Sequence, residues 1–270
     1  YRLRRDNVHL RTGFVGTPIL CRALSNNGAN ELAYRLLLNE DYPSWLYSVN
    51  LGATTIWERW NTLNPDGTIS STGMNSLNHY AYGSIVEWMY RDMCGLNPSA
   101  GDDQVTGFRR ACLAPKPNRL LQWAKASYLS AAGHFESGWV IQKDGSLSFT
   151  FVIPFNAEAQ IVLPDAKVGE VFINGQKSVD GTQQDSSLIL QLSAGHYQIE
   201  YQPTSPYRTI FSTCTPIVQL ARNQQAKSLL AGVSPMLAVL EESMLAALGE
   251  ANLRDMASTP YLPLTTEELD

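Results

Sequence analysis

The segment Asp41–Asn61, DYPSWLYSVNLGATTIWERWN, combines one carboxylate of interest with many aromatic side chains. Aromatic faces stack on the C–H faces of sugars, and aromatic edges exclude water. In Trp57-Glu58-Arg59-Trp60, apolar walls disfavour a charged carboxylate and the adjacent guanidinium favours it. A carboxylate in such a setting suits a general base that deprotonates water. Alternatively, Glu58 is a structural residue that pairs with Arg59 between core tryptophans. The large aromatics of the segment are Tyr42, Trp45, Tyr47, Trp57 and Trp60.

Two further segments carry polar or glycine-rich patterns. In Asn75-Ser76-Leu77-Asn78-His79-Tyr80, amide and imidazole groups can donate hydrogen bonds to hydroxyls. His79 could equally cap a helix or be satisfied within the core. The segment Arg11–Pro18, RTGFVGTP, has two glycines before a helix start and could cradle a ligand, but it lacks the spacing of a phosphate loop. Taken alone, it indicates only a tight turn.

Helical hairpins are predicted to position these groups. Thr17 as N-cap and Pro18 at the first helical position begin a helix that ends before Gly28. A second helix is expected over Ala29–Asn39, and Asp41–Asn50 forms a loop leading into a short helix or extended piece. A long helix is expected from about Met74 to Met93, with His79 in its first turns, where the dipole adds positive potential.

After Pro98 the hydrophobic pattern changes to alternation with period 2. Short strands at close spacing predict an antiparallel sandwich, and turns are expected at 143–145, 174–175 and 194–195. The predicted strands are 108–113, 120–127, 133–142, 147–153, 159–163, 168–173, 188–192 and 196–201. The predicted inner face comprises Trp139, Ile141, Phe149 and Phe151.

The last part of the chain returns to a helical pattern. Helices are predicted from Pro216 to Ala231 and, with Ser234 and Pro235 as cap and first residue, to about Leu248. Their apolar stripe, Met236, Leu237, Leu240, Met244 and Leu248, is expected to pack against the body of the protein. The three predicted domains are therefore residues 1–100, 101–205 and 206–270.

Composition excludes several function classes. The net charge of -5 argues against a nucleic-acid partner, and no apolar run approaches the roughly 20 residues of a membrane span. The four cysteines are scattered without a C-x-x-C pair, so no metal or redox motif is expected. No cofactor is indicated. We expect a fragment of a longer protein, because the chain starts at Tyr1 without a signal peptide and ends on a capping box at Thr265–Glu268.

The ordered set TGFVGTP, LLLNEDYPSWLYSV, GATTIWERW and MNSLNHYAYGSIVEWMY resembles bacterial α-L-rhamnosidases of glycoside hydrolase family 78. The resemblance continues through GLNP and GFRRACLAPKP, covers residues 1 to about 203 and fades in the tail. It implies partial (α/α)6-barrel helices followed by an antiparallel β-sandwich and a helical tail. It also implies inverting hydrolysis of terminal α-L-rhamnose from rhamnosides, without a metal.

The resemblance assigns roles by motif. Glu58 corresponds to the general base, and His79 lines the sugar subsite. Trp57, Trp60 and Trp45 are candidates for the aromatic wall. An inverting glycosidase also needs a general acid roughly 6.5–9.5 Å from the base, and in the family that acid lies in an earlier segment. We therefore expect the missing N-terminal part of the same chain to supply it, and the fragment alone to be inactive.

Two alternatives stay open. Helical barrels of this kind also serve other glycosidases and sugar phosphorylases, because a fold does not settle a function. A non-catalytic carbohydrate-binding or structural fragment is the second alternative, for which Trp123, Tyr128 and Trp139 are the candidate sugar-binding aromatics.

Overall fold

The computed structural model describes residues 9–71, 73, 75–99, 107–208, 211–234 and 251–257, with the single positions 239, 244, 248 and 265. The chain divides into two compact units, Tyr1–Arg208 and Thr209–Asp270. The predicted helix from Pro235 towards Leu248 and the capping box at 265–268 lie outside the described residues, apart from those single positions. No helix in the described part is long and apolar enough to cross a membrane.

A helical hairpin opens the first unit, as predicted. Helix α1 is Thr17–Asn26 and α2 is Asn30–Leu37. Gly28 joins them with a φ of 74°, a left-handed conformation that suits glycine. The N-cap of α1 is Gly16 and not Thr17, because the buried Thr17 hydroxyl lies 2.9 Å from that of Thr12.

The short helix predicted after the aromatic loop is confirmed as α3, Trp45–Asn50. Its N-cap is Ser44, whose hydroxyl accepts a hydrogen bond from the Tyr47 amide at 3.0 Å. This bond satisfies one of the amides that a helix start leaves unpaired.

The long helix predicted from about Met74 begins only at Ala81. It is a composite helix made of a 3-10 turn, Ala81–Ser84, the α-helix α4, Ile85–Trp88, and a π-turn, Met89–Met93. In the π-turn, the Cys94 amide donates to the Met89 carbonyl at 2.9 Å. The prediction was wrong for residues 75–80 because backbone groups there bond to another loop instead of to each other.

Among the described residues of the first unit, nine strands form one sheet. The order β1-β2-β5-β9-β6-β7 runs along its main path, with β3 on β4, β4 on β5 and β8 on β9. The strands are β1 Leu96–Pro98, β2 Arg110–Leu113, β3 Trp123–Ser130, β4 Gly133–Ile141, β5 Leu147–Leu163, β6 Val171–Ile173, β7 Gln176–Ser178, β8 Thr182–Gln184 and β9 Ser187–Tyr201.

Two long strands replace four of the predicted short ones. Strand β5 runs through the predicted break after Ile153, and β9 runs through the predicted turn at 194–195. The two pair along their length, with an irregularity between Ile153 and Glu158 that absorbs the register change. The other predicted turns are present, and Asn174 and Gly175 have the positive φ angles of a tight hairpin. The sheet departs from the antiparallel prediction in one pair, because β2 and β5 are parallel.

The core of the first unit is shared by helices and sheet. The predicted inner face is confirmed as buried, with Trp139 at 1%, Ile141 at 7% and Phe149 and Phe151 at 0% exposure. One continuous apolar cluster joins it to the helical residues Tyr34 and Trp88, among others. Burial of such large apolar side chains is the main stabilising contribution to a fold.

Polar contacts at the end of the composite helix connect it to the sheet. The indole of Trp139 donates to the Met93 carbonyl at 2.8 Å. The buried carboxylate of Asp92 pairs with Lys116 at 2.5 Å. Gly95 has a φ of 72°, and a Cβ added there would lie 2.1 Å from the Pro115 nitrogen, so only glycine fits.

Within its described residues, the second unit has two helices where the sequence predicted one from Pro216 to Ala231. Helix α5 is Ile217–Ala221 and α6 is Gln224–Val233. Asn223 breaks the run, because it has an extended backbone and its side chain caps α6 by accepting from the Ala226 amide at 2.9 Å. A small core of this unit includes Ile217, Leu220, Ala226, Leu230 and Leu253. Of the predicted stripe, Met244 is exposed and Leu248 packs against this core.

Candidate functional site

The structure brings the two predicted polar segments side by side. The Glu58 amide donates to the Ser76 carbonyl at 2.9 Å, and the His79 amide donates to the Ile56 carbonyl at 2.7 Å. Each bond joins residues about twenty positions apart. Together the two bonds fix which residues of the two loops lie opposite each other, although the loops do not form a strand pair.

Thr62 and Asn75 form a second connection between the same loops. The Thr62 hydroxyl is 2.8 Å from Oδ1 of Asn75, and Nδ2 of Asn75 donates to the Thr62 carbonyl at 3.3 Å. Thr62 is almost fully buried. The loop that carries Glu58 is therefore held at both ends by the segment that carries His79.

An aromatic cluster links the Glu58 loop to α3 and to the composite helix. Trp60 stacks on Tyr82 with ring centroids 3.8 Å apart and planes 15° apart, and Trp45 meets Trp60 edge-on at 5.4 Å. The Trp45 indole donates to the Tyr82 carbonyl at 2.9 Å. Burial raises the pKa of the Tyr82 phenol, so this ring stays neutral at physiological pH.

His79 lies in a stack of three rings. Phe14 stacks on it with centroids 4.8 Å apart, and Tyr80 stacks on it at 5.1 Å. Nδ1 of His79 accepts a hydrogen bond from the Ala81 amide at 3.3 Å. That bond requires Nδ1 to be unprotonated, so in the neutral imidazole the proton is on Nε2, which can then donate to a ligand.

The four predicted aromatic and imidazole residues differ in exposure. Trp57 and Trp45 are buried, at 5% and 6%, whereas Trp60 and His79 are half-buried. Among the described residues, the buried Nε1 of Trp60 has no hydrogen-bond partner. An unpaired buried donor is uncommon in folded proteins. Trp60 and His79 are thus the better candidates for contact with a ligand.

Glu58 is half-buried next to the buried Trp57. Within the described residues, its carboxylate has no ion pair and no side-chain hydrogen bond. The alternative Glu58–Arg59 pair is not formed. A carboxylate that is unpaired and partly desolvated is able to accept a proton from water.

Two site residues were missed by sequence reasoning. Phe14 and Tyr82 contact each other at 5.3 Å and connect the His79 stack to the Trp60 cluster. Phe14 lies inside the glycine-rich segment 11–18, which had a recognisable pattern but no assigned partner. Tyr82 follows His79 by three residues and carried no signal beyond its aromatic type. The three patterned segments therefore converge on one aromatic site.

No group of His, Cys, Asp or Glu in the described part of the chain could hold a metal ion. The described groups instead offer an unpaired carboxylate, an imidazole donor and aromatic faces. This combination suits a polar ligand with apolar C–H surfaces, as sugars have.

Family comparisons cover both structural parts of the first unit. A family model described as the bacterial alpha-L-rhamnosidase 6 hairpin glycosidase domain matches residues 1–93. A second, described as the bacterial alpha-L-rhamnosidase C-terminal domain, matches residues 95–178. The junction between the two matches falls at the end of the π-turn.

Similar proteins carry the same name. An alpha-L-rhamnosidase of Alteromonas sp. (strain LOR) is 42% identical over 162 residues, which are 60% of this chain and 17% of that protein. One of Formosa agariphila is 41% identical over 204 residues, 73% of this chain and 21% of that protein. The chain thus spans about a fifth of the length of these relatives.

Solved structures of alpha-L-rhamnosidases are also similar to this chain. Streptomyces avermitilis alpha-L-rhamnosidase complexed with L-rhamnose has a TM-score of 0.65 and 33% identity, covering 74% of this chain and 19% of that one. The alpha-L-rhamnosidase of Dictyoglumus thermophilum has a TM-score of 0.63 and 29% identity, covering 74% and 22%. By sequence and by fold, residues 1–178 belong to the bacterial α-L-rhamnosidase family.

Proposed function

We propose that this chain is part of an inverting glycoside hydrolase that releases terminal α-L-rhamnose from rhamnosides. Glu58 acts as the general base that activates the attacking water. His79 donates to a sugar hydroxyl, and Trp60 contributes the aromatic wall, with Trp57 and Trp45 behind it. The substrate is a rhamnose-containing glycoside or oligosaccharide.

One observation carries this proposal most strongly: among the described residues the Glu58 carboxylate has no ion pair, and its loop carries the buried Trp57 and is registered against His79. A base must be ionised and correctly positioned before the reaction, because repositioning in the transition state costs rate. Backbone bonds from Glu58 and His79 supply that positioning. The names of the matched relatives support the rhamnoside substrate.

The general acid is proposed to lie in a part of the protein outside these 270 residues. Near the site, the candidates are Glu40, which is exposed, and Asp41 and Asp66, which sit in exposed turns. Asp66 accepts from the amide and hydroxyl of Thr68, which lowers its pKa. A general acid needs the opposite, a raised pKa. The 270-residue chain alone is therefore expected to show no rhamnoside hydrolysis.

The test compares wild type with Glu58→Gln in a longer chain that completes the catalytic domain. The substitution keeps size and polarity but removes the charge, so release of rhamnose from an aryl α-L-rhamnoside should fall at least about a hundredfold. Glu170→Gln, an exposed change in the β-sheet region, serves as the matched control and should retain full activity.

Near-normal turnover by Glu58→Gln, with the control also active, would assign the base to another residue. Turnover that requires added phosphate would replace the hydrolase by a phosphorylase. Hydrolysis by the purified 270-residue chain would contradict the proposal that the acid lies elsewhere.

A further inference from the structure

A polar cleft of about 730 Å³ lies in the first unit, away from the candidate site. It is bordered by the helical residues Arg22 and Arg91 on one side and by strands of the sheet on the other. None of Trp45, Glu58 and His79 contributes to it. Its volume falls in the range of small-molecule sites, about 300–1,000 Å³.

The floor of the cleft is a row of polar side chains in register across four strands. Asn97 on β1 is opposite Cys112 on β2, which is opposite Gln160 on β5, and Gln160 is opposite Gln191 on β9. The intervening residues on these strands, such as Leu113 and Ile161, are buried in the core.

The amides of this row suit a ligand with several hydroxyls. Each Gln side chain carries two N–H donors and an acceptor oxygen, and Oε1 of Gln160 accepts from the Cys112 thiol at 3.9 Å. Neighbouring strands lie about 4.8 Å apart, so the groups are evenly spaced. Asn97 is fixed because its amide donates to the Arg91 carbonyl at 2.7 Å.

The walls of the cleft carry three arginines, Arg22, Arg91 and Arg110, each of which is held by a carboxylate. Arg22 lies 3.2 Å from Glu87, and Arg110 lies 2.6 Å from Glu158. Arg91 pairs through Nε with Glu87 at 2.9 Å, and Glu87 is not part of the lining. That pair orients the guanidinium, whose planar fork matches carboxylate and sulfate groups.

We propose that this cleft is an accessory binding site for an acidic saccharide, a sugar with a carboxylate or sulfate group. The amide row binds hydroxyls and the arginines bind the acidic group. The site is independent of the proposed hydrolysis, because it shares no residue with Glu58 and its surroundings.

The test titrates the 270-residue chain with D-glucuronate, glucose 6-sulfate, glucose and inorganic sulfate, by calorimetry at low salt. At least one acidic sugar should bind more tightly than both glucose and inorganic sulfate, and added salt should weaken binding. Arg91→Gln should weaken binding about tenfold, equal to ~1.4 kcal/mol. Gln191→Ala, at an exposed position, should weaken it less.

Arg35→Gln is the matched control. Like Arg91, Arg35 is a half-exposed arginine in an i,i+4 ion pair, at 2.7 Å from Glu31, but it lies outside the cleft. It should bind as wild type does. The proposal is overturned if neither acidic sugar binds, if inorganic sulfate or glucose binds as tightly, or if Arg35→Gln and Arg91→Gln behave alike.

Discussion

The sheet and the loops of the candidate site are held together in different ways. In the sheet, long strands such as β5 pair over most of their length, and one face of β5 is buried except at Phe155. In residues 51–71 and 75–80, a few backbone bonds and the Thr62–Asn75 contact hold the loops together without regular helices or strands. In the sheet, burial of apolar side chains supplies stability. In the loops, specific polar contacts position the side chains of the candidate site.

The largest expected effect is in the sheet. Phe151 is fully buried, so Phe151→Ala should lower the free energy of unfolding by ~3–5 kcal/mol through lost burial and a cavity. Urea unfolding followed by tryptophan fluorescence measures this, because all six tryptophans lie before residue 140 and report on the first unit. Phe172→Ala, at a 43% exposed position, should cost under about 1 kcal/mol. Equal losses of unfolding free energy in the two variants would contradict the prediction that the buried face supplies the stability.

A smaller effect tests whether the helices share the core. Burial, with a further contribution from Asp92, raises the pKa of the Cys21 thiol from 9.0 to about 12. In the unfolded chain this thiol ionises at a lower pH than in the folded protein. Its contribution to the free energy of unfolding is therefore complete below pH 9 and is lost between pH 9 and 12. At pH 10 the loss is ~1.4 kcal/mol.

The measurement is the difference in unfolding free energy between pH 8 and pH 10. Cys21→Ala should show a smaller fall than wild type, because it lacks the titrating group. Cys214→Ala changes an exposed thiol in the second unit and should leave the fall unchanged. An identical fall in all three proteins would mean that Cys21 is accessible to solvent.

The smallest expected change in global stability concerns the loops. Asn75→Ala removes both contacts with Thr62, so local opening should become easier by ~1 kcal/mol while global stability changes by under about 0.5 kcal/mol. Hydrogen exchange of the Glu58 amide should accelerate. Asn64→Ala, which removes a side-chain bond to Thr68 in an exposed turn, should leave that amide unchanged. A large loss of global stability in Asn75→Ala would contradict this prediction and show that the loops contribute to the core.

Sequence reasoning succeeded where local patterns decide the structure. The α1–α2 hairpin follows from Pro18 and Gly28, and the buried face of Trp139 and Phe149 follows from alternation. It failed where distant contacts decide. Residues 75–80 have helical spacing, yet their groups bond to the Glu58 loop, and the stack of Phe14 on His79 joins residues 65 positions apart. For the candidate site, the segments were predictable and their arrangement was not.

The π-turn Met89–Met93 has a consequence for how this sequence can change length. A π-turn contains one residue more than the α-helical turn it replaces, and here it ends at the Met93 carbonyl that accepts from Trp139. Deleting one residue from it would restore α-helical geometry and rotate the following chain by about 100°. The carbonyl would then turn away from the indole, and Gly95 would leave its contact with Pro115. Insertions and deletions should therefore be tolerated in the turns of the sheet and excluded from this one helical turn.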